Sequence, residues 1–269
     1  MAFGHKTARK RVYSKITEGP YADPQHGHIG EWAVELSYLL CNIAFLIGSV
    51  FFLSSNTGIY AAGVWLFIIA SVINFGLAGH TLHEHLHTAS NHDEIRDQER
   101  SEILEAVMYV SSALVFAVGC IFFMPGLAED LSGYGAWLNV VGSFNLVFAA
   151  YFNQIGMLTD KSDSEKVGIR PRDYDTVKLL YKVTLAHTLC GAVLFTCGSF
   201  MYLPRIHSNC RHVHDETCQT SAEVGTALFI AGSILFVMQS GVSISALYLK
   251  THAGGGSHAL DGETASLLQ

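Results

Sequence analysis

Long apolar runs separated by polar breaks recur six times along the chain, at Trp32–Leu53, Gly58–Gly79, Ile103–Pro125, Tyr134–Met157, Val177–Leu203 and Glu223–Leu247. Each reaches the roughly 20 residues a helix needs to cross the hydrocarbon core of a bilayer. None shows the continuous polar face of a soluble amphipathic helix. A soluble core does not need six such runs, so the pattern predicts an all-α, polytopic membrane protein with six transmembrane helices. Composition agrees: of 269 residues 50% are hydrophobic and 14% charged, with a mean hydropathy of +0.31. Soluble domains carry about 25% charge. A net charge of -7 speaks against a nucleic-acid partner and leaves the lipid bilayer as the first one expected.

The runs pair. The first of each pair ends in a similar phrase: Phe45-Leu-Ile-Gly48, Phe116-Ala-Val-Gly119 and Phe195-Thr-Cys-Gly198. The second begins in another: Gly63-Val-Trp65-Leu-Phe, Gly135-Ala-Trp137-Leu-Asn and Gly225-Thr-Ala227-Leu-Phe, with Ala70, Gly142 and Gly232 seven residues on. The two glycines are 15, 16 and 27 residues apart, so the third pair carries a loop insertion. A period of this kind is the signature of an internal repeat. It predicts a basic polar segment at 1–31, hairpins at 32–79, 101–157 and 177–248, and a flexible tail at 249–269. Residues seven apart share a helix face, and small residues let membrane helices approach closely. Gly48, Gly63, Ala70, Gly119, Gly135, Gly142, Gly198, Gly225 and Gly232 are therefore expected to be packing positions.

These phrases resemble the YrhK-like domain, a two-helix membrane hairpin. The resemblance covers most of each pair, about two thirds of the chain, and the third copy departs from it at Ala227. It implies three tandem membrane hairpins and brings no activity or catalytic residues with it.

Charge sets an expected orientation. With six spans both termini lie on one side, and that side holds 14 of the 16 Lys and Arg; Arg205 and Arg211 lie opposite. Positive flanks stay on the side of insertion, so the termini are expected in the cytosol, or in matrix or stroma in an organelle. The five basic residues of Met1–Thr17 fit an organellar presequence or the anchor of the first span. Ser90-Asn91, before the charged run Asp93–Glu105, suits a helix cap.

Two clusters carry candidate chemistry. His80, His83, Glu84 and His87 fall on one helical stripe, His85 points away from it, and residues 83–87 match H-E-x-x-H, in which two His hold zinc and Glu serves as base. The alternatives are a solvated helix end, where imidazoles suit the dipole, a surface zinc site, or a catalytic one. In the third loop Cys210 and Cys218 are the only cysteines in an aqueous segment; a disulfide, zinc and free thiols are the options. Cys41, Cys120, Cys190 and Cys197 lie within helices as small apolar residues. Polar residues inside spans mark candidate pathways: Glu35, Asn42, Asn74, Asn139, Asn145, His187 and Gln239. Of these Glu35 and Asn74 are expected near the interface, and His187 is the leading intramembrane ionisable site. The sequence supports a non-catalytic structural or accessory subunit of a membrane complex, with protein partners. A small-solute or ion transporter is the alternative, and a metal-dependent membrane enzyme using His83, Glu84 and His87 the third.

Overall fold

The computed structural model describes residues 24–53, 56–89, 97–159, 171–203 and 216–253. These form six helices and, among the described residues, no strand: α1 (Pro24–Phe51), α2 (Thr57–Ala89), α3 (Asp97–Ile121), α4 (Ala128–Thr159), α5 (Pro171–Met201) and α6 (Glu216–Ala253). All six are long and apolar enough to cross a membrane. Helix α2 runs beyond its expected span at its terminal-side end and α4 chiefly at its hairpin-loop end, and α1 begins at Pro24 rather than near Trp32. Residues 90–96, including Ser90-Asn91, lie outside the described residues, as do 1–23 and 254–269.

Local chemistry fixes the turns. Asn56 caps α2, its Oδ1 accepting from the N–H groups of Gly58 at 2.9 Å and Ile59 at 3.3 Å, which satisfies two donors that have no partner within the helix. Between α3 and α4 the chain reverses over Met124-Pro125-Gly126-Leu127, with Leu127 N–H donating to Met124 O at 2.9 Å and Gly126 at φ +91°. Proline followed by a residue of positive φ is the requirement of a type II turn.

Each helix packs on its neighbours in chain order, and α1 also packs on α6, so the six close into a ring. Within each pair the helices meet at the repeated glycines. A methyl group at Gly48 would stand 3.0 Å from Gly63 O, one at Gly119 3.2 Å from Gly135 O, and one at Gly198 3.0 Å from Gly225 O. Further along, Gly142 and Gly232 receive the rings of Phe116 and Phe195, with a methyl at Gly232 only 2.6 Å from Phe195 Cδ2. With lipid on the outside, backbone proximity and ring-into-gap packing stand in for hydrophobic drive. Phe195 is the hub: its ring lies 6.4 Å from Phe67, 6.3 Å from Phe116, 5.2 Å from Phe229 and 5.4 Å from Phe236. Outward, Leu40, Ile69, Phe148 and Met238 are exposed, as a bilayer-facing surface requires.

Candidate functional site: a polar interior

The buried face of each helix carries a polar stripe on the terminal side of the aromatic hub. Along α3 the buried positions include Glu102, Glu105, Tyr109, Ser112 and Phe116, spaced three and four apart; α1 repeats the pattern with Glu35, Tyr38, Asn42 and Phe45, and α2 with Asn74, Thr81 and His85. This spacing is one helical face. Glu35 and Asn74 are buried in the bundle at 4% and 2% exposure, because the stripe they belong to faces inward.

Most interior hydroxyls are satisfied locally. Ser49, Thr184, Thr188, Thr196 and Ser199 donate to carbonyls four residues earlier, the usual solution for Ser and Thr inside helices. Others bridge helices: Asn42 Nδ2 donates to Phe236 O at 3.0 Å and Ser240 Oγ at 2.8 Å, closing α1 on α6, while Ser112 Oγ donates to Gly142 O and Asn145 Nδ2 to Ser111 Oγ. Asn153 Nδ2 donates to Glu105 Oε1 at 2.9 Å. Against this background Asn74 and Gln239 stand apart. Both ends of each amide are buried with no hydrogen-bond partner among the described residues. Such a group costs several kcal/mol, roughly 2–7, in an apolar medium.

Among the described residues, the buried carboxyl and imidazole groups are Glu35, Glu102, Glu105 and His85. His85 Nδ1 lies 3.6 Å from Glu102 Oε2, tying α2 to α3. At the hairpin-loop end the interior closes on a cavity of about 20 Å³, room for about one water. Every helix pair reaches it, through Phe52, Tyr60, Phe116, Asn139, Phe195 and Phe229. Beside it Tyr202 Oη donates to Ala222 O at 3.2 Å and pairs with Thr226 Oγ1 at 2.6 Å; burial holds its phenol above the usual range, with the Thr226 contact opposing, so the hydroxyl stays a donor.

The expected metal stripe is not brought together as a ligand set. His80 Nδ1 lies 3.7 Å from Glu84 Oε1, the His83 and His87 rings are 6.4 Å apart, and both of those rings are exposed. Among the described residues no group of three His, Cys, Asp or Glu side chains could hold a metal ion. The member excluded from the stripe, His85, is the buried one. His187 is half-buried with Nδ1 2.7 Å from Val183 O of its own helix, one position off the inward stripe of Thr184 and Thr188. Cys41 and Cys120 are buried, whereas Cys190 and Cys197 are exposed. Cys210 lies outside the described residues, and with it the proposed bridge to Cys218.

Residues 174–246, which run from the start of α5 through most of α6, match the family model described as YrhK-like protein. The third hairpin is similar to that family. The match spans the Gly198–Gly225 contact and the Phe195 ring on Gly232, so the YrhK-like segment is a packed two-helix unit. No match was found among curated proteins or among solved structures.

Proposed function

We propose that the protein is built from three YrhK-like hairpins closed into one ring, and that the ring's interior is a pathway for a small polar solute or ion. The three-copy reading is supported by the same glycine–glycine approach in all three hairpins. The pathway reading is carried by one observation: Asn74 and Gln239 hold amides fully buried in a membrane-spanning bundle with no hydrogen-bond partner among the described residues. Intramembrane polar groups are expensive and persist where they serve a passing ligand, water or ion. A purely structural accessory subunit, the other function expected from the sequence, is better served by Leu or Ala at both positions. The charge asymmetry of the loops supports cytosolic, matrix or stromal termini, so the polar stripe opens toward that compartment.

The test is flux in reconstituted vesicles, read by osmotic light scattering for neutral solutes and by ion-sensitive dyes for protons and potassium. Flux above protein-free vesicles, abolished in the Asn74→Leu, Gln239→Leu double variant, is expected. No flux of any tested species, together with a native particle holding stoichiometric partner proteins, would return the accessory-subunit reading.

A further inference from the structure

Glu105 sits 2% exposed inside a membrane span, and its carboxyl receives a hydrogen bond from Asn153 Nδ2 at 2.9 Å. The other end of the same amide, Asn153 Oδ1, is buried and has no hydrogen-bond partner among the described residues. A primary amide and a carboxylic acid are complementary at two points: the amide N–H donates to one carboxyl oxygen, and the acid O–H donates to the amide oxygen. Half of that pair is present, and the atom left over is the acceptor that an acid proton would fill. A carboxylate there would instead leave a charge with one neutral donor in a low-dielectric interior, at a cost of several kcal/mol, while Asn153 Oδ1 stayed unpaired.

We infer that Glu105 and Asn153 form a proton-binding site, with Glu105 holding its proton as a carboxylic acid that donates to Asn153 Oδ1, and that this proton is the one coupled to passage through the ring. The surroundings fit. On α3, Glu102 lies one turn toward the terminal face and Tyr109 one turn deeper, the spacing at which helical side chains are neighbours. On α2, His85 is paired with Glu102, and on α1, Tyr38 lies within electrostatic range of Tyr109. When the O–H bond of Glu105 breaks, the proton passes toward Glu102 and the water beyond it, and Asn153 Nδ2 keeps its hold on the resulting carboxylate. The coupling half of the inference rests on the pathway reading; the binding half does not.

The experiment is infrared difference spectroscopy of the full-length protein in lipid through a pH step, paired with proton flux in vesicles. The wild type is expected to show a carboxylic acid C=O band that is absent in Glu105→Gln. In Asn153→Leu the band is expected to shift to the position of an acid without a hydrogen bond to its O–H. Glu105→Gln keeps the size and one hydrogen bond of the native residue, so it is expected to fold, and size-exclusion elution with native retention checks this. A wild-type acid band that persists in Glu105→Gln, or no acid band at all, overturns the site. Proton flux that persists unchanged in Glu105→Gln overturns the coupling while leaving the pathway reading in place. A Glu105 band in a protein with no flux of any species leaves the site and removes the pathway.

Discussion

Alanine at Gly135 tests the packing logic most directly. Its new methyl would stand 2.7 Å from Gly119 O and 2.9 Å from Phe123 Cε2, whereas a comfortable carbon–oxygen contact is about 3.3 Å. The ring of Phe123 can turn away, but Gly119 O is helix backbone, so the overlap of about 0.6 Å must be relieved by parting α3 from α4. Overpacking of this kind costs about 1–3 kcal/mol, set against up to about 1 kcal/mol gained by Ala over Gly in a helix. Gly76 supplies the control, since nothing lies within 4 Å of its missing methyl. Both variants receive the helix-propensity gain, so the difference between them isolates the overlap and should equal the full ~1–3 kcal/mol. Equilibrium unfolding in mixed micelles, followed by tryptophan fluorescence, reads it. Gly63→Ala and Gly225→Ala, which meet Gly48 O at 2.9 Å and Tyr202 Cε2 at 2.8 Å, should fall on the Gly135→Ala side. Equal midpoints for Gly135→Ala and Gly76→Ala would refute the claim that backbone approach at the glycines holds the hairpins.

Three further outcomes are expected. Tyr202→Phe should cost about 1 kcal/mol in the same unfolding assay, because it removes the hydroxyl that bridges Ala222 O and the buried Thr226. In folded protein a small membrane-permeant thiol reagent should modify Cys190 and Cys197 while Cys41 and Cys120 react only after unfolding, a difference that peptide mass mapping resolves. His85→Leu should destabilise the fold by removing the contact with Glu102, and a double-mutant cycle with Glu102→Leu on unfolding free energies should show a coupling of about 0.5–3 kcal/mol.

The membrane made the fold legible, because a bilayer demands long apolar helices and the repeated phrases marked where they pair. The close glycine approaches have a sequence signal of the same kind: a small residue recurring at matching places along the chain lets helices meet. The interior was harder to read, and particular residues show why. Glu102 and Glu105 entered the sequence reading only as the end of the charged run Asp93–Glu105, although they stand at three- and four-residue spacing from Tyr109, Ser112 and Phe116 and so continue the hub's face. His187 drew notice as an ionisable residue within a span, yet it is offset by one position from Thr184 and Thr188 and bonds its own helix. The H-E-x-x-H letters likewise drew notice to His83 and His87, while helical phase turned His85 inward to Glu102. Phase relative to a known buried residue was the available signal in all three cases, and residue type was the misleading one.

On the three-copy reading, fusion of hairpins into one chain has a physical consequence for the interior. A single two-helix unit leaves two flanks unpaired, and a ring of three closes them, as α1 on α6 does here. Three separate identical hairpins could close the same ring, but symmetry would repeat every interior residue three times around the axis. A Glu at the Glu105 position would then recur three times in the interior, each copy needing its own buried amide partner. On the three-copy reading, the fused chain escapes this. The position four residues after the repeated glycine holds Phe67 and Phe229 in two hairpins and Asn139 in the other, whose Oδ1 lies 2.5 Å from where a methyl on Gly119 would be. Asn74, Gln239 and Glu105 likewise each occur once, opposite apolar or hydroxyl residues in the other copies. The repeated positions therefore hold the helices together, and the unrepeated ones are free to differ in chemistry, which is where a pathway's specificity has to reside.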